Sequence, residues 1–190
     1  MPLCLPVPDS KYSTLAGGSV AEMDSLPTAL TWAASYIGCI APLVSRPVIV
    51  LDIDGTILQN QADGSTKSVR YMTAFAQSCH NNGIKIFIVT ARPDFSANRS
   101  WTERQLEACG IYNFEALLMR PNKDPRIGTN KYIARESIRS KGHNILLSIG
   151  DQWADLNNVD APENMSESAF YVGTIGDDSS FAIKLPSEFR

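Results

Sequence analysis

Apolar residues follow two rhythms along this chain: short dense runs, and longer stretches where they recur at helical spacing. The densest run is the VIVL segment beginning at Val48, which leads directly into DIDGT. Aliphatic and β-branched residues at this density predict a central strand buried on both faces. Similar runs at Ile84–Val89, Asn144–Ile149 and Ala169–Thr174 predict further strands, and Phe114–Met119 a shorter one. Helical patterns lie between them, over about 27–40, 67–81 and 98–108, and from Thr129 or Asn130 to about Ser140. Asn82-Gly83 and Gly110 close the second and third of these helices in the manner of C-caps. Gln59–Ser65 is polar, with Asp63-Gly64 as a turn signal, and Arg120–Gly128 reads as a charged, proline-containing loop. Residues 1–24, interrupted by prolines and by Gly17-Gly18, read as an irregular arm. Residues 175–190 carry no functional pattern.

Strands alternating with helices imply an α/β fold: a Rossmann-like parallel sheet with helices on both faces. A length of 190 residues fits the arm plus one domain over residues 25–190. Hydrophobic residues make up 44% and charged residues 19%, enough to bury a core. The net charge of −3 gives no reason to expect nucleic acid or an anionic membrane against the surface. Cys4, Cys39, Cys79 and Cys109 form no CxxC pair and do not cluster with His80 or His143. That argues against zinc and against a disulfide-dense scaffold, and favours reduced thiols. No basic segment leads into a long apolar core near the N-terminus, and Leu30–Val44 is read as too short to span a bilayer. The expected location is the cytoplasm.

Asp52 and Asp54 cannot lie inside a doubly buried strand without a compensating charge. They belong at its carboxyl end, where open α/β sheets place their ligands; the alternative is an Asp-Gly turn with solvated acids. The strand ends at Thr90 and at Asp151, with Asp155 just beyond, point to the same rim. Carboxylates gathered there repel unless a cation joins them, and oxygen-only ligands suit Mg2+. Lys131 is placed to bring a positive charge to that rim, with Lys123 and Arg126 as alternatives. A carboxylate beside a lysine, a hydroxyl and magnesium could serve as nucleophile toward an anionic phosphoester. Ala91, Arg92 and Asp94 follow Thr90 and are candidate substrate contacts, as an alternative to a plain surface loop. Trp101 and Trp153 read as packing residues.

DIDGT at 52–56, Thr90, Lys131 and Gly150-Asp151 with Asp155 resemble the four motifs of the haloacid dehalogenase (HAD) superfamily of phosphatases and phosphotransferases. The resemblance covers about Pro47 to Thr174. The wording IGDQWADL, with Lys131 and Arg135 upstream, is similar to the branch of acid phosphatases and vegetative storage proteins, although that branch commonly has an acidic residue where Gly55 stands. The resemblance implies Asp52 as nucleophile and Asp54 as general acid and base, its carbonyl helping to bind magnesium. It implies Thr90 and Lys131 on the phosphoryl oxygens, Asp151 as a direct magnesium ligand, and Asp155 as an indirect or orienting one. The intervals between motifs leave room for a minimal cap or none. An open site suits a large or end-presented phosphoester, or needs the arm or a second subunit to close it; the expected partner is a small-molecule or end-presented phosphomonoester. The implied reaction is magnesium-dependent phosphomonoester hydrolysis through an aspartyl phosphate. The alternatives are phosphotransfer, action on a nucleic-acid 3′-phosphate, or a non-catalytic binding or storage role.

Overall fold

The computed structural model describes residues 12–15, 18–156, 168–174 and 181–187, with side chains described from Ala21 onward. It opens with two strands, β1 (Tyr12–Leu15) and β2 (Gly18–Met23), where an irregular arm is expected from the sequence. The remainder of that arm and residues 157–159 lie outside the described residues. Helix α1 (Leu26–Ile40) follows, with Pro27 in its first turn and the Ser25 side chain accepting from Thr28 N at 3.4 Å. Both features suit a helix start: the cap satisfies an orphan amide, and proline lacks one.

The central strand β3 (Pro47–Leu51) then leads through the DIDGT loop to a hairpin, β4 (Leu58–Asn60) and β5 (Thr66–Ser68). Its turn is held by Asp63, whose Oδ1 accepts from Ser65 N at 2.9 Å and from Ser65 Oγ at 2.6 Å. Because the hairpin takes residues 66–68, α2 (Arg70–Asn81) begins later than periodicity suggests. Next come β6 (Lys85–Asp94), α3 (Ser96–Ala108), β7 (Ala116–Pro121), α4 (Ile127–Ser140) and β8 (Asn144–Gly150). A short 3-10 turn at Trp153–Asp155 precedes β9 (Phe170–Thr174) and β10 (Phe181–Lys184).

The main sheet has the order β1-β2-β9-β10-β8-β3-β6-β7. β10, β8, β3, β6 and β7 run parallel, but β9 is antiparallel to both β10 and β2, and β1 is antiparallel to β2. The expected parallel sheet is thus present, and antiparallel pairings of β9 and of β1 with β2 extend it at one edge into a mixed sheet. β10 lies in the tail that carries no sequence pattern. Its four residues are all buried, and the amine of Lys184 inside the run donates to Leu185 O at 2.8 Å.

Period-two alternation along β3 divides the core between the two faces. Val48 and Val50 join Phe87, Val89 and Ile138 of α4 on one side. Ile49 and Leu51 meet Ile86, Ile88, Leu147 and the inner faces of α1 and α2 on the other. Removing each such side chain from water contributes about 1.5–3 kcal/mol, so the strand carrying Asp52 is firmly seated. With the turn after it, α1 forms an 18-residue stretch, Leu26–Leu43, of mean hydropathy 1.2. By length and composition that is enough to cross a membrane, which corrects the reading of this region as too short; here its Leu26, Ala29, Leu30, Ala33 and Ile37 are buried in the core. Cys39 is disulfide-bonded, whereas Cys79 and Cys109 are free thiols, so the expectation of reduced cysteines throughout is corrected.

Candidate active site

β3 is the strand at which the chain changes direction across the sheet. From it the chain passes to β6 and β7 on one side, then returns to β8 on the other. Ligands bind at such switch points, outside the carboxyl ends of the strands. Leu51 is in register with Ile149 of β8 and Ile88 of β6. Asp52, Thr90 and Asp151 therefore emerge together at one rim, and Asp52 N donates to Ile149 O at 3.0 Å. β6 does not stop at Val89, as its apolar run suggests. It continues to Asp94 with a register shift between Thr90 and Pro93, a bulge that turns the strand beside the site.

The β8 side of the rim is a buried charge cluster. Asp52, Lys131 and Asp155 are each 4% exposed and Asp151 is 8% exposed. Lys131, on the inner face of α4, donates from Nζ to Asp52 Oδ1 at 3.0 Å and also to Asp155 Oδ1. The other Asp155 oxygen accepts from Gln152 N at 2.9 Å, closing a capping box on the short turn. Arg135 donates from Nη1 to the carbonyls of Ala154 and Asp155, at 3.1 and 2.8 Å, and so fixes the turn to α4. Two glycines make this crowding feasible. A Cβ on Gly150 would overlap the Asp155 side chain, and one on Gly55 would lie 2.5 Å from Asp151 Cγ. Gly55 also has φ +77°, a conformation that side-chain-bearing residues rarely adopt.

Burial raises the Asp52 carboxyl well above its usual value; Asp155 and Asp151 add to the rise and Lys131 opposes it. Asp151 is likewise raised, chiefly by burial. For Lys131, burial alone would favour the neutral amine, but the Asp52 and Asp155 carboxylates outweigh it and hold the amine protonated. Negative charge at the rim is thus incompletely compensated by protein groups. Oxygen atoms of Asp52, Asp151 and Asp155 all lie within 4.8 Å of one another, a hard donor set that fits Mg2+. Both Asp155 oxygens are taken, by Lys131 and Gln152 N, whereas Asp52 and Asp151 each keep one oxygen for such an ion, the other Asp151 oxygen accepting from Gln152 Nε2 at 2.9 Å.

The β6 side is different. The Asp54 side chain is 45% exposed and faces Arg92, not the buried cluster. Arg92 Nε donates to Asp54 Oδ2 at 2.7 Å and Nη2 to Oδ1 at 2.6 Å, a two-pronged pair. With both side-chain oxygens on Arg92, the backbone carbonyl is the part of Asp54 left for the expected magnesium contact. Thr90 is 2% exposed and its Oγ1 accepts from Arg92 N at 3.2 Å. The Ala91 carbonyl accepts from Arg120 Nε at 2.8 Å. The structure therefore gathers Asp52, Lys131, Asp151 and Asp155 directly, with Thr90 at the neighbouring strand end. Trp153 packs with Leu156, Tyr171 and Ala182, whereas Trp101 is half exposed and stacks over Arg92. Sequence reasoning missed Thr102 and Gln105 as supports, and gave Gly150 and Gln152 no role beyond their place in the motif. The spacing of Thr102 and Gln105 puts them on one helical face, but nothing in it points to Arg92.

Paired carboxylates around a buried lysine, at the switch point of a Rossmann-like sheet, are the arrangement that the resemblance to HAD proteins implies. Residues 61–187 match the HAD superfamily, subfamily IIIB (Acid phosphatase), and the chain belongs to that family. The matched region begins after DIDGT and includes Thr90, Lys131, Asp151 and Asp155. The chain is 34% identical over 77 residues to the soybean (Glycine max) stem 28 kDa glycoprotein, covering 39% of this chain and 30% of that protein. It is 44% identical over 52 residues to vegetative storage protein 2 of Arabidopsis thaliana, covering 27% of this chain and 20% of that protein. The chain thus spans less than a third of the length of these relatives. Among solved structures, a class C acid phosphatase from Bacillus anthracis with tungstate bound aligns at 15% identity and a TM-score of 0.45, over 76% of this chain and 70% of that one.

Proposed function

We propose that the protein hydrolyses phosphomonoesters, with Asp52 as the group that accepts the phosphoryl moiety. The observation that carries this reading is the buried Lys131–Asp52 pair, 3.0 Å apart, beside Asp151 at the switch-point rim. A protonated lysine opposes the neutralisation that burial imposes on Asp52, and offers charge to the phosphoryl oxygens. Asp52 forms a bond to phosphorus while the ester P–O bond breaks, its electron pair leaving on the ester oxygen. Asp54 supplies the proton for that oxygen. Asp54 then takes a proton from the attacking water, which displaces Asp52 from phosphorus. Thr90 Oγ1, at the end of β6, would donate toward a phosphoryl oxygen. Asp52 and Asp151 would hold Mg2+, which when bound supplies positive charge against the phosphoryl group.

No separate cap domain stands between the motifs among the described residues; the hairpin β4–β5 and α3 occupy those intervals. That suits a large or end-presented phosphomonoester. The disulfide at Cys39 favours an oxidising compartment over the cytoplasm. The likeness to a vegetative storage protein favours a second reading, a storage role with little turnover. Aryl phosphate hydrolysis with magnesium and with chelator, for the native chain and Asp52→Asn, separates the two. The proposal expects magnesium-dependent turnover that the substitution reduces by at least on the order of a thousandfold. Folded, magnesium-binding protein without turnover at any pH would support storage.

A further inference from the structure

The sequence places Arg92 among the candidate substrate contacts, but the structure uses its guanidinium elsewhere. Four of its five N–H groups are directed to protein oxygens: two to Asp54, and the two of Nη1 to Thr102 Oγ1 at 3.2 Å and Gln105 Oε1 at 2.7 Å. Its flat face is covered by the Trp101 ring, 4.8 Å from the guanidinium carbon to the ring centroid. Arg92 is 9% exposed, so a side chain with many rotamers is held in one. Gln105 in turn donates from Nε2 to Thr66 Oγ1 at 3.3 Å, on the hairpin that follows the DIDGT loop. A chain of contacts therefore runs from β5 through α3 and Arg92 to the Asp54 carboxylate. Asp54 has no comparable support from its own loop, where the turn at Gly55 leaves its side chain 45% exposed.

We infer that Arg92 is a positioning residue for Asp54, and that the Thr66–Gln105–Arg92 network aims the general acid at the leaving oxygen. This rests on the phosphatase reading above. An exposed carboxylate carrying a proton samples several orientations, and only some reach the ester oxygen beside Asp52. When one Asp54 oxygen carries the proton, the other still accepts from Arg92, so the carboxyl stays aimed. The same fork could not embrace a phosphoryl group without releasing Asp54 or the α3 side chains.

The distinction is readable in leaving-group dependence, because kcat/KM reports steps through phosphoryl transfer. Phenyl phosphate, whose phenolate leaves poorly, depends on proton donation more than 4-nitrophenyl phosphate does. Arg92→Gln is expected to lower kcat/KM for phenyl phosphate by on the order of ten- to a hundredfold, and for the nitrophenyl ester much less. The KM for the nitrophenyl ester and inhibition by inorganic phosphate should stay within about threefold. Arg92→Lys keeps the charge without the fork and is expected to restore only part of the loss. Gln105→Leu, which touches neither Asp54 nor substrate, should show a smaller loss with the same leaving-group bias, and serves if Arg92→Gln does not fold. Equal losses for both esters, with raised KM and weaker phosphate inhibition, would make Arg92 a substrate contact and overturn the inference. An inactive native chain would instead overturn the phosphatase reading on which it stands. An active native chain, silenced by Asp52→Asn but with an unaltered leaving-group ratio in Arg92→Gln, would sink only the inference.

Discussion

Asp52 and Asp54 stand two residues apart and share a side-chain chemistry, yet they occupy opposite surroundings. Asp52 is buried against Lys131, Asp151 and Asp155 on the α4 side of the rim. Asp54 is half exposed and paired with Arg92 on the α3 side. On the first side, low polarity strengthens every electrostatic interaction, and removing one partner leaves a buried charge. On the second, water screens the pair, and the value of the arginine lies in its two-pronged geometry. One half of the site is built to hold charge against its tendency to neutralise. The other half is built to hold a direction.

Breaking the buried side should have the largest effect on stability. Lys131→Met removes the cation shared by Asp52 and Asp155, and is expected to cost about 3–5 kcal/mol in urea unfolding. A loss below about 1 kcal/mol would show that the cluster is hydrated or protonated in solution. Gly150→Ala comes next, at about 1–3 kcal/mol, because the added methyl must displace Asp155 or the short turn. It should also weaken activity through Asp155 and Lys131; unchanged stability and activity would show that the turn yields freely.

A smaller effect concerns pH, and its sign separates Asp52 from an ordinary paired carboxylate. Its folded-state value is raised, so the folded chain holds the Asp52 proton to a higher pH than the unfolded chain does. Stability should therefore fall as pH rises from the unfolded value through the raised folded one. Asp52→Asn removes that ionisation. With magnesium chelated, the variant is expected to unfold at a higher urea concentration than the native chain at pH 7, and to show a shallower decline with pH. A less stable variant at pH 7 would mean that the contact with Lys131 outweighs the cost of burying the charge.

The smallest effect belongs to an ion pair on the surface. Lys85 Nζ lies 2.7 Å from Glu115 Oε2, with side chains 48% and 40% exposed. Lys85→Ala should shift stability by less than about 0.5 kcal/mol, and salt should erase the difference. A larger cost would weaken the contrast between buried and exposed pairs on which the comparison rests.

The dense run before Asp52, the strand ends at Thr90 and Asp151, and the spacing of Lys131 from Asp151 are legible along the chain. Each rests on local rules: β-branched residues stack into buried strands, and charge is excluded from them until the strand ends. By themselves these patterns determine the alternating architecture and the residues gathered at its rim. Strand β10 was not legible, because a buried lysine interrupts a short run and only its neighbours β8 and β9 satisfy it as a strand. The early strands β1 and β2 were hidden for a related reason, since β2 pairs with β9 across most of the chain and β1 joins the sheet through β2. Tertiary structure alone decided which arginine faces Asp54, and which glycines open space for Asp151 and Asp155. Those choices depend on distances between side chains brought together from remote segments, and sequence spacing carries no record of such distances.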